Sequence, residues 1–264
     1  MGTETEPSVS FYDALAPLFD VMTDWDARLR SEGPFLRAQL EEAGARRVLD
    51  AACGSGGHAL ALASWGYQAV GADPSPVMIE LARSKAAAAG LRIPFHVADL
   101  AGMAELDEAP FDAVFCLGNS LVHLLTDADL HAALAGLAGT LRPGGLLIVH
   151  NLNYDLRWRV QPRFFAAQGG ELAGQQVLVW RFADYDTAAN RIAFHVALFR
   201  RQPTGWQVEV HTTPQRPWQH AELTSALEAA GFERSVAMGR MSEPVESFAA
   251  DSSGDLVLMA RKGS

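Results

Sequence analysis

The stretch Val48–Ala59, VLDAACGSGGHA, carries an apolar segment straight into a glycine-rich turn, and Asp73 follows nineteen residues after Gly54. A strand that must reverse into a helix within a few residues needs main-chain angles that side chains resist; glycine supplies them and leaves the backbone bare for a ligand. From Arg46 the pattern alternates. Strands are expected at 46–51, 67–72, 93–98, 111–117 and 145–151, and helices at 58–64, 76–89 and 127–141. Runs such as Phe111–Leu117 and Leu146–Val149 are apolar throughout, as in strands buried on both faces. Gly90 and Pro143-Gly144 are helix stops. This alternation predicts an α/β fold: a doubly wound, mostly parallel sheet with helices on both faces.

The flanks differ in character. Residues 1–10 read as a loose tail. Phe11, Leu15, Leu18, Phe19, Leu29, Phe35, Leu36 and Leu40 recur at helical spacing, punctuated by Pro17 and Gly33-Pro34, which predicts two or three helices. Beyond Tyr154, segments 176–185, 190–201 and 205–212 are rich in Val, Phe and Trp and read as an antiparallel meander of three or four strands. Its aromatics Phe164, Phe165, Trp180, Phe182 and Phe194 are expected in the meander core. A helix at 219–230 and a closing hairpin of 232–238 with 255–261 complete the chain. The expected organisation is a helical cap (1–45), a cofactor-binding core (46–154), an antiparallel β insert acting as a lid (155–215) and a C-terminal helix with closing hairpin (216–264).

Bulk properties narrow the function. The 264 residues carry a formal charge of −10, with no Lys/Arg run longer than two, which argues against nucleic-acid partners. No apolar stretch reaches the length of a membrane span, and MGTETEPSVS lacks the basic and apolar regions of a secretory signal. Cys53 and Cys116 have no metal-ligand spacing and read as small apolar residues in a reducing compartment. A cytoplasmic protein with a small-molecule partner and no metal is expected; the oligomeric state is left open.

Asp73, at the end of the second strand, can accept both hydroxyls of a ribose, or it can cap the following helix. Asp50, inside the first strand, and Asp99, at the end of the third, separate the pattern from a nicotinamide site. Asp99 or the Leu100 amide is placed to meet an adenine. Taken together these features resemble the class I S-adenosylmethionine-dependent methyltransferases: VLDAACGSG looks like their first motif, Asp73 their ribose acid, Asp99 their adenine acid, and LRPGGLLIV (141–149) the turn into their fifth strand. The resemblance covers about residues 46–151. It implies a seven-stranded sheet with an antiparallel last strand, S-adenosylmethionine as cofactor and S-adenosylhomocysteine as product.

FDAVFCLGNSLVHL (111–124) and HNLNYD (150–155) are similar to strings of the glycine and sarcosine N-methyltransferase group. That resemblance implies cofactor contacts at Ala52, Gly54, Asp73, Asp99 and Leu117, beside the Leu100 amide already singled out, with Arg28 meeting the cofactor carboxylate and Tyr12 and Trp25 closing over the site. It implies Asn119 and Tyr154 in the amine-acceptor pocket. His150-Asn151-Leu152 departs from the group's pattern, which has a basic residue before NYD. Arg157, Arg159, Arg163 and Arg181 are all candidates for gripping an acceptor carboxylate. For a small amine, glycine-like acceptor, Asn119 and Tyr154 would orient the nucleophile; Asn119 or Ser120 also suits a helix N-cap. An O-methyltransferase would instead need His123 as base, although His123 and His58 also suit plain structural hydrogen bonding. Two other classes stand beside these: an NAD-dependent oxidoreductase, and a non-catalytic cofactor-binding protein.

Overall fold

The computed structural model describes residues 7–264. The expected loose tail falls partly outside them, at residues 1–6; the rest of it is helical, because α1 (Pro7–Leu15) already begins at Pro7. α2 (Phe19–Met22) and α3 (Trp25–Glu42) follow. Gly33-Pro34 does not break α3. Phe35, Leu36 and Leu40 are buried against the sheet, and that packing outweighs the helix-breaking tendency of proline.

Then come β1 (Arg47–Ala51), α4 (Gly57–Ser64), β2 (Gln68–Asp73), α5 (Pro76–Ala88), β3 (Phe95–Val97), β4 (Phe111–Cys116), α6 (Asp127–Thr140) and β5 (Leu141–Leu152). β5 begins at Leu141, earlier than expected: Leu141 already pairs with Phe111, and the residues between it and Leu146, with Gly144 at φ 72°, bulge out as a register shift opposite β4. The chain continues through α7 (Tyr154–Val160), β6 (Gln168–Leu172), β7 (Gln175–Asp186), β8 (Arg191–Gln202), β9 (Gly205–Gln215), α8 (His220–Ala229), β10 (Phe232–Met238) and β11 (Asp255–Lys262).

The main sheet has seven strands in the order β10-β11-β5-β4-β1-β2-β3. The last strand, β11, runs antiparallel to both its neighbours, as the resemblance implies. Successive residues of one strand feed opposite layers. Val48, Ala113, Phe115, Leu146 and Ile148 pack beneath α3 and α4, whereas Leu49, Val114, Cys116, Leu147 and Val149 pack beneath α6 and α8. This is why the strand sequences read as continuous apolar runs.

β6-β7-β8-β9 form a separate antiparallel sheet. On one face of it, Val177, Val179, Val196 and Leu198 pack against Phe11, Leu15 and Leu18 of the N-terminal segment. α1 is thereby wedged beside the carboxyl ends of the parallel strands, where it also meets α5. No helix among the described residues is long and apolar enough to cross a membrane.

Leu18 is fully buried in that cluster. Leu18→Ala should therefore lower unfolding stability by about 2–5 kcal/mol in a urea titration. A change below about 1 kcal/mol would show that the segment is not anchored there.

Candidate active site

The glycine turn is held from below and from above. Below, Asp50 is 1% exposed, and its Oδ2 accepts the Ala59 amide of α4 at 3.0 Å. Burial pushes its pKa up to about 6, against the opposing pull of His58 and that amide. Above, the Trp25 ring lies on Gly57, where a Cβ would come within 2.4 Å of it. Gly56, at φ 81°, caps α4 in the left-handed region, which favours glycine.

Asp73 links two loops. Its Oδ2 accepts Gly54 N–H at 2.8 Å and its Oδ1 accepts Ser75 N–H at 2.9 Å. Helix α5 is capped by Ser75 and not by Asp73. Burial raises the Asp73 pKa, the two amides lower it, and Asp13 adds to the rise. Each oxygen keeps a second lone pair for a ligand hydroxyl. Asp99 stands two residues beyond β3, correcting its expected place in the strand; it is exposed and caps Gly102 N–H at 2.7 Å. Leu100 and Leu117 are buried nearby.

The N-terminal segment reaches over this turn. Phe19 sits 3.3 Å from where a Gly54 Cβ would lie. Asp20 accepts from the Trp25 indole at 2.9 Å, the Ser55 hydroxyl at 2.8 Å and the Lys85 ammonium at 3.0 Å. The Arg28 guanidinium lies over Trp25 and bonds Glu32 at 2.9 Å. Glu32 also meets His58 Nε2 at 2.9 Å, so His58 sits in a structural contact. Burial pushes the Glu32 pKa up, but His58 and Arg28 outweigh it and hold the carboxyl below its ordinary value.

Across the cavity, Asn119 adopts φ 72° at the head of a 3-10 turn, Ser120–His123, without capping it. Its Oδ1 accepts Leu152 N–H at 3.0 Å and its Nδ2 donates to the Tyr154 hydroxyl at 3.0 Å. The Asn119 side chain, expected to orient the nucleophile, thus spends its carbonyl tying the loop after β4 to β5 and its amide on Tyr154. Burial pushes the Tyr154 pKa up to about 12. His123 Nε2 lies 2.9 Å from the Tyr12 hydroxyl. Burial drives the His123 pKa down to about 4, opposed only in part by the Pro214 carbonyl, and raises that of Tyr12.

The turn, the N-terminal segment and the Asn119 loop border one cavity of about 600 Å³. All twelve residues singled out from sequence reach it: Tyr12, Trp25, Arg28, Ala52, Gly54, Asp73, Asp99, Leu100, Leu117, Asn119, His123 and Tyr154. The far wall comes from the antiparallel sheet and the segment leading into it, through residues that were not singled out from sequence as site residues; Phe165 and Phe194 were expected in the meander core. Phe165, Ala183, Ile192, Phe194 and Gln215 line it. Of the four candidate arginines, Arg157 and Arg181 reach the cavity. Arg159 and Arg163 instead pair outside with Asp251 and Asp184. No three His, Cys, Asp or Glu side chains among the described residues are grouped to hold a metal.

Residues 48–145 match a protein family described as a methyltransferase domain. The chain is 35% identical over 145 residues to a glycine/sarcosine N-methyltransferase of Halorhodospira halochloris, covering 55% of this chain and 54% of that one. It is 39% identical over 137 residues to its counterpart from Parasynechococcus marenigrum, covering 52% and 49%. The chain thus spans about half the length of the curated relatives it matches. Among solved structures, an S-adenosylmethionine-dependent methyltransferase from Clostridium acetobutylicum superposes with a TM-score of 0.77 at 16% identity, covering 96% of this chain and 99% of that one. A sugar N-methyltransferase from a Streptoalloteichus species superposes with a TM-score of 0.72 at 23% identity, covering 91% and 92%. At such identities the likeness establishes the fold alone, a seven-stranded α/β sheet with an added antiparallel sheet.

The Asp50 pKa sets a sign. An acid whose folded pKa is raised loses relative stability as pH climbs from its unfolded value, near 4, to its folded value. Wild type measured against Asp50→Asn should therefore lose stability between about pH 4 and pH 6, by up to about 3 kcal/mol. A flat difference across that window would contradict the buried-carboxylate assignment.

Proposed function

We propose that this chain transfers the methyl group of S-adenosylmethionine to the amine nitrogen of a small acceptor that also carries an anionic group, releasing S-adenosylhomocysteine. One observation carries the reading: one continuous cavity has the Asp73–Gly54 turn at one end and the Asn119–Tyr154 pair, with two arginines, at the other. The cofactor supplies a methyl on a sulfonium, a leaving group already activated. The protein's task is then orientation and charge placement.

In this reading Ala52, Gly54 and Leu117 offer main-chain contacts to the cofactor, Asp73 takes its ribose, Asp99 and Leu100 take its base, and Arg28 takes its carboxylate. Tyr12 and Trp25 close the site within the 1–45 cap, and the 155–215 sheet walls the acceptor side. Asn119 is the positioning residue. Because Asn119 donates to the Tyr154 oxygen, that oxygen has its own proton and one lone pair left to offer the cavity. An amine hydrogen-bonded there has its attacking lone pair aimed by the protein.

His123 bears on the choice between nitrogen and oxygen. An imidazole held at about 4 is a poor base toward a phenol near 10, and this supports the N-methyl reading over an O-methyl one. Arg181 supports the anionic group. Its guanidinium donates to the Met22 carbonyl and the Gln168 side chain, burial lowers its pKa, and among the described residues no carboxylate pairs with it. A partly buried cation of this kind gains from a ligand anion. Arg157, stacked over Phe165, offers a second donor. The acidic balance of the chain supports a small-molecule acceptor over a nucleic acid, and two buried free cysteines suit a cytoplasmic setting.

The test is a panel of amines and phenols read by S-adenosylhomocysteine release. Amino acids are expected to turn over and phenols are not. Tyr154→Phe should lower kcat by about tenfold to a hundredfold, and His123→Ala should leave the pH profile unshifted. Arg181→Ala should raise the acceptor KM by about tenfold or more with the cofactor KM unchanged. Turnover of phenols alone, with activity lost in His123→Ala, would replace this reading with O-methylation.

A further inference from the structure

At its acceptor end the cavity is walled by the inner face of the antiparallel sheet. The register pairs Ala183 with Phe194 and Tyr185 with Ile192. Residues two apart on a strand share a face, so these side chains form one surface, and all of them line the cavity. Tyr154, Ala183 and Ile192 are buried in one apolar cluster, with Leu152 and Phe165 packed against it.

The rings of this wall are held in place. The Tyr185 hydroxyl is spent on the Pro162 carbonyl at 3.1 Å, and Trp158 backs the ring at 6.0 Å. Phe165 tilts against Phe194 at 6.4 Å. Its amide donates to the Arg181 carbonyl at 3.1 Å, and its own carbonyl accepts the Trp180 indole N–H at 3.1 Å. Ala183 is the small residue of the surface; opposite Phe194 and two residues from Tyr185, it leaves a recess beside both rings. The polar groups of the same face stand one pair away on either side: Arg181, paired with Val196, and Gln215, paired with Ile192.

Phe165, Tyr185 and Phe194 are only half-buried by the protein itself, and each lines the cavity. A ligand with an apolar body gains by covering what the chain leaves open. An acceptor no larger than glycine has no carbon to place there.

Resting on the N-methyl reading above, we infer that the acceptor is a hydrophobic amino acid. Its amine lies at the Tyr154 hydroxyl, its carboxylate meets Arg181, and its branched aliphatic or aromatic side chain fills the recess at Ala183 beside Tyr185 and Phe194. On transfer the amine lone pair forms the N–CH3 bond as the S–CH3 bond breaks. The bonding pair leaves on sulfur, as S-adenosylhomocysteine, and the ammonium formed gives its proton to water. The sheet wall thus selects the acceptor, and apolar pockets of this kind discriminate by about 10–200-fold for each methylene they cover or miss.

Release of S-adenosylhomocysteine by the full chain should give leucine and phenylalanine a kcat/KM about tenfold to a hundredfold above that of glycine. Ala183→Leu, which fills the recess, and Phe165→Ala, in the irregular segment between α7 and β6, should each reduce the phenylalanine-to-glycine ratio at least about fivefold. A binding readout stands apart from turnover. In calorimetry on protein saturated with S-adenosylhomocysteine, 3-phenylpropionate has the carboxylate and the aromatic body without the amine, and it should bind at least about tenfold tighter than acetate. Glycine turned over as well as phenylalanine, or acetate bound as tightly as 3-phenylpropionate, would overturn the hydrophobic acceptor and leave N-methylation standing. Selective binding of 3-phenylpropionate with no amine methylated would uphold the apolar subsite and overturn the N-methyl reading instead.

Discussion

Asp73 holds the Gly54 amide with one carboxylate oxygen and the Ser75 amide with the other. Two loops from adjacent parallel strands are thereby locked together at the carboxyl edge of the sheet, and the geometry of everything above them follows. The turn between β1 and α4 is fixed a second time from beneath by Asp50. Both carboxylates are buried and both have raised pKa values. Their amide partners compensate the burial, and removing the amide geometry would leave a charge without a partner in a low-dielectric interior.

The rest of the cavity is assembled onto that edge from distant sequence. The N-terminal segment lies on the turn through Phe19 and Trp25 and is tied to Ser55 and Lys85 through Asp20. The same segment is the apolar core of the antiparallel sheet's inner face. One stretch of chain therefore joins the parallel sheet to the antiparallel one, so the end near Asp73 and the end near Tyr154 belong to one cavity. Tyr12 shows this directly: it sits on α1, and its hydroxyl meets His123 from the loop after β4.

Local features were legible in the sequence, and long-range ones were not. Strands β1, β2, β4 and β5 stand out because Val48-Leu49, Val114-Phe115 and Leu147-Ile148 serve two apolar layers at once, and a glycine turn between strand and helix is a local backbone demand. β6, in the polar and glycine-rich QGGEL, has none of the β-branched or aromatic residues that mark a strand. α7 had a signal that went unread: Asn153 caps it, accepting from Leu156 N–H. Which residues of the antiparallel sheet face the cavity was hidden for a different reason. In β7 and β8 both faces are apolar, so alternation cannot say that Phe194 looks into the cavity while Trp180 and Phe182 look out, and the meander aromatics are not one core. Likewise only the fold separates Arg181 from Arg163, which differ in whether they reach the cavity or an exposed carboxylate.

The central claim is that the Asp73–Gly54 turn, under its N-terminal cover, binds a sulfonium nucleoside. Isothermal titration calorimetry with S-adenosylmethionine and with its demethylated product tests it most directly. Saturable one-to-one binding is predicted, reduced at least about tenfold by Asp73→Ala and undisturbed by excess NAD. Absence of heat at millimolar ligand, or tighter binding of NAD, would contradict it.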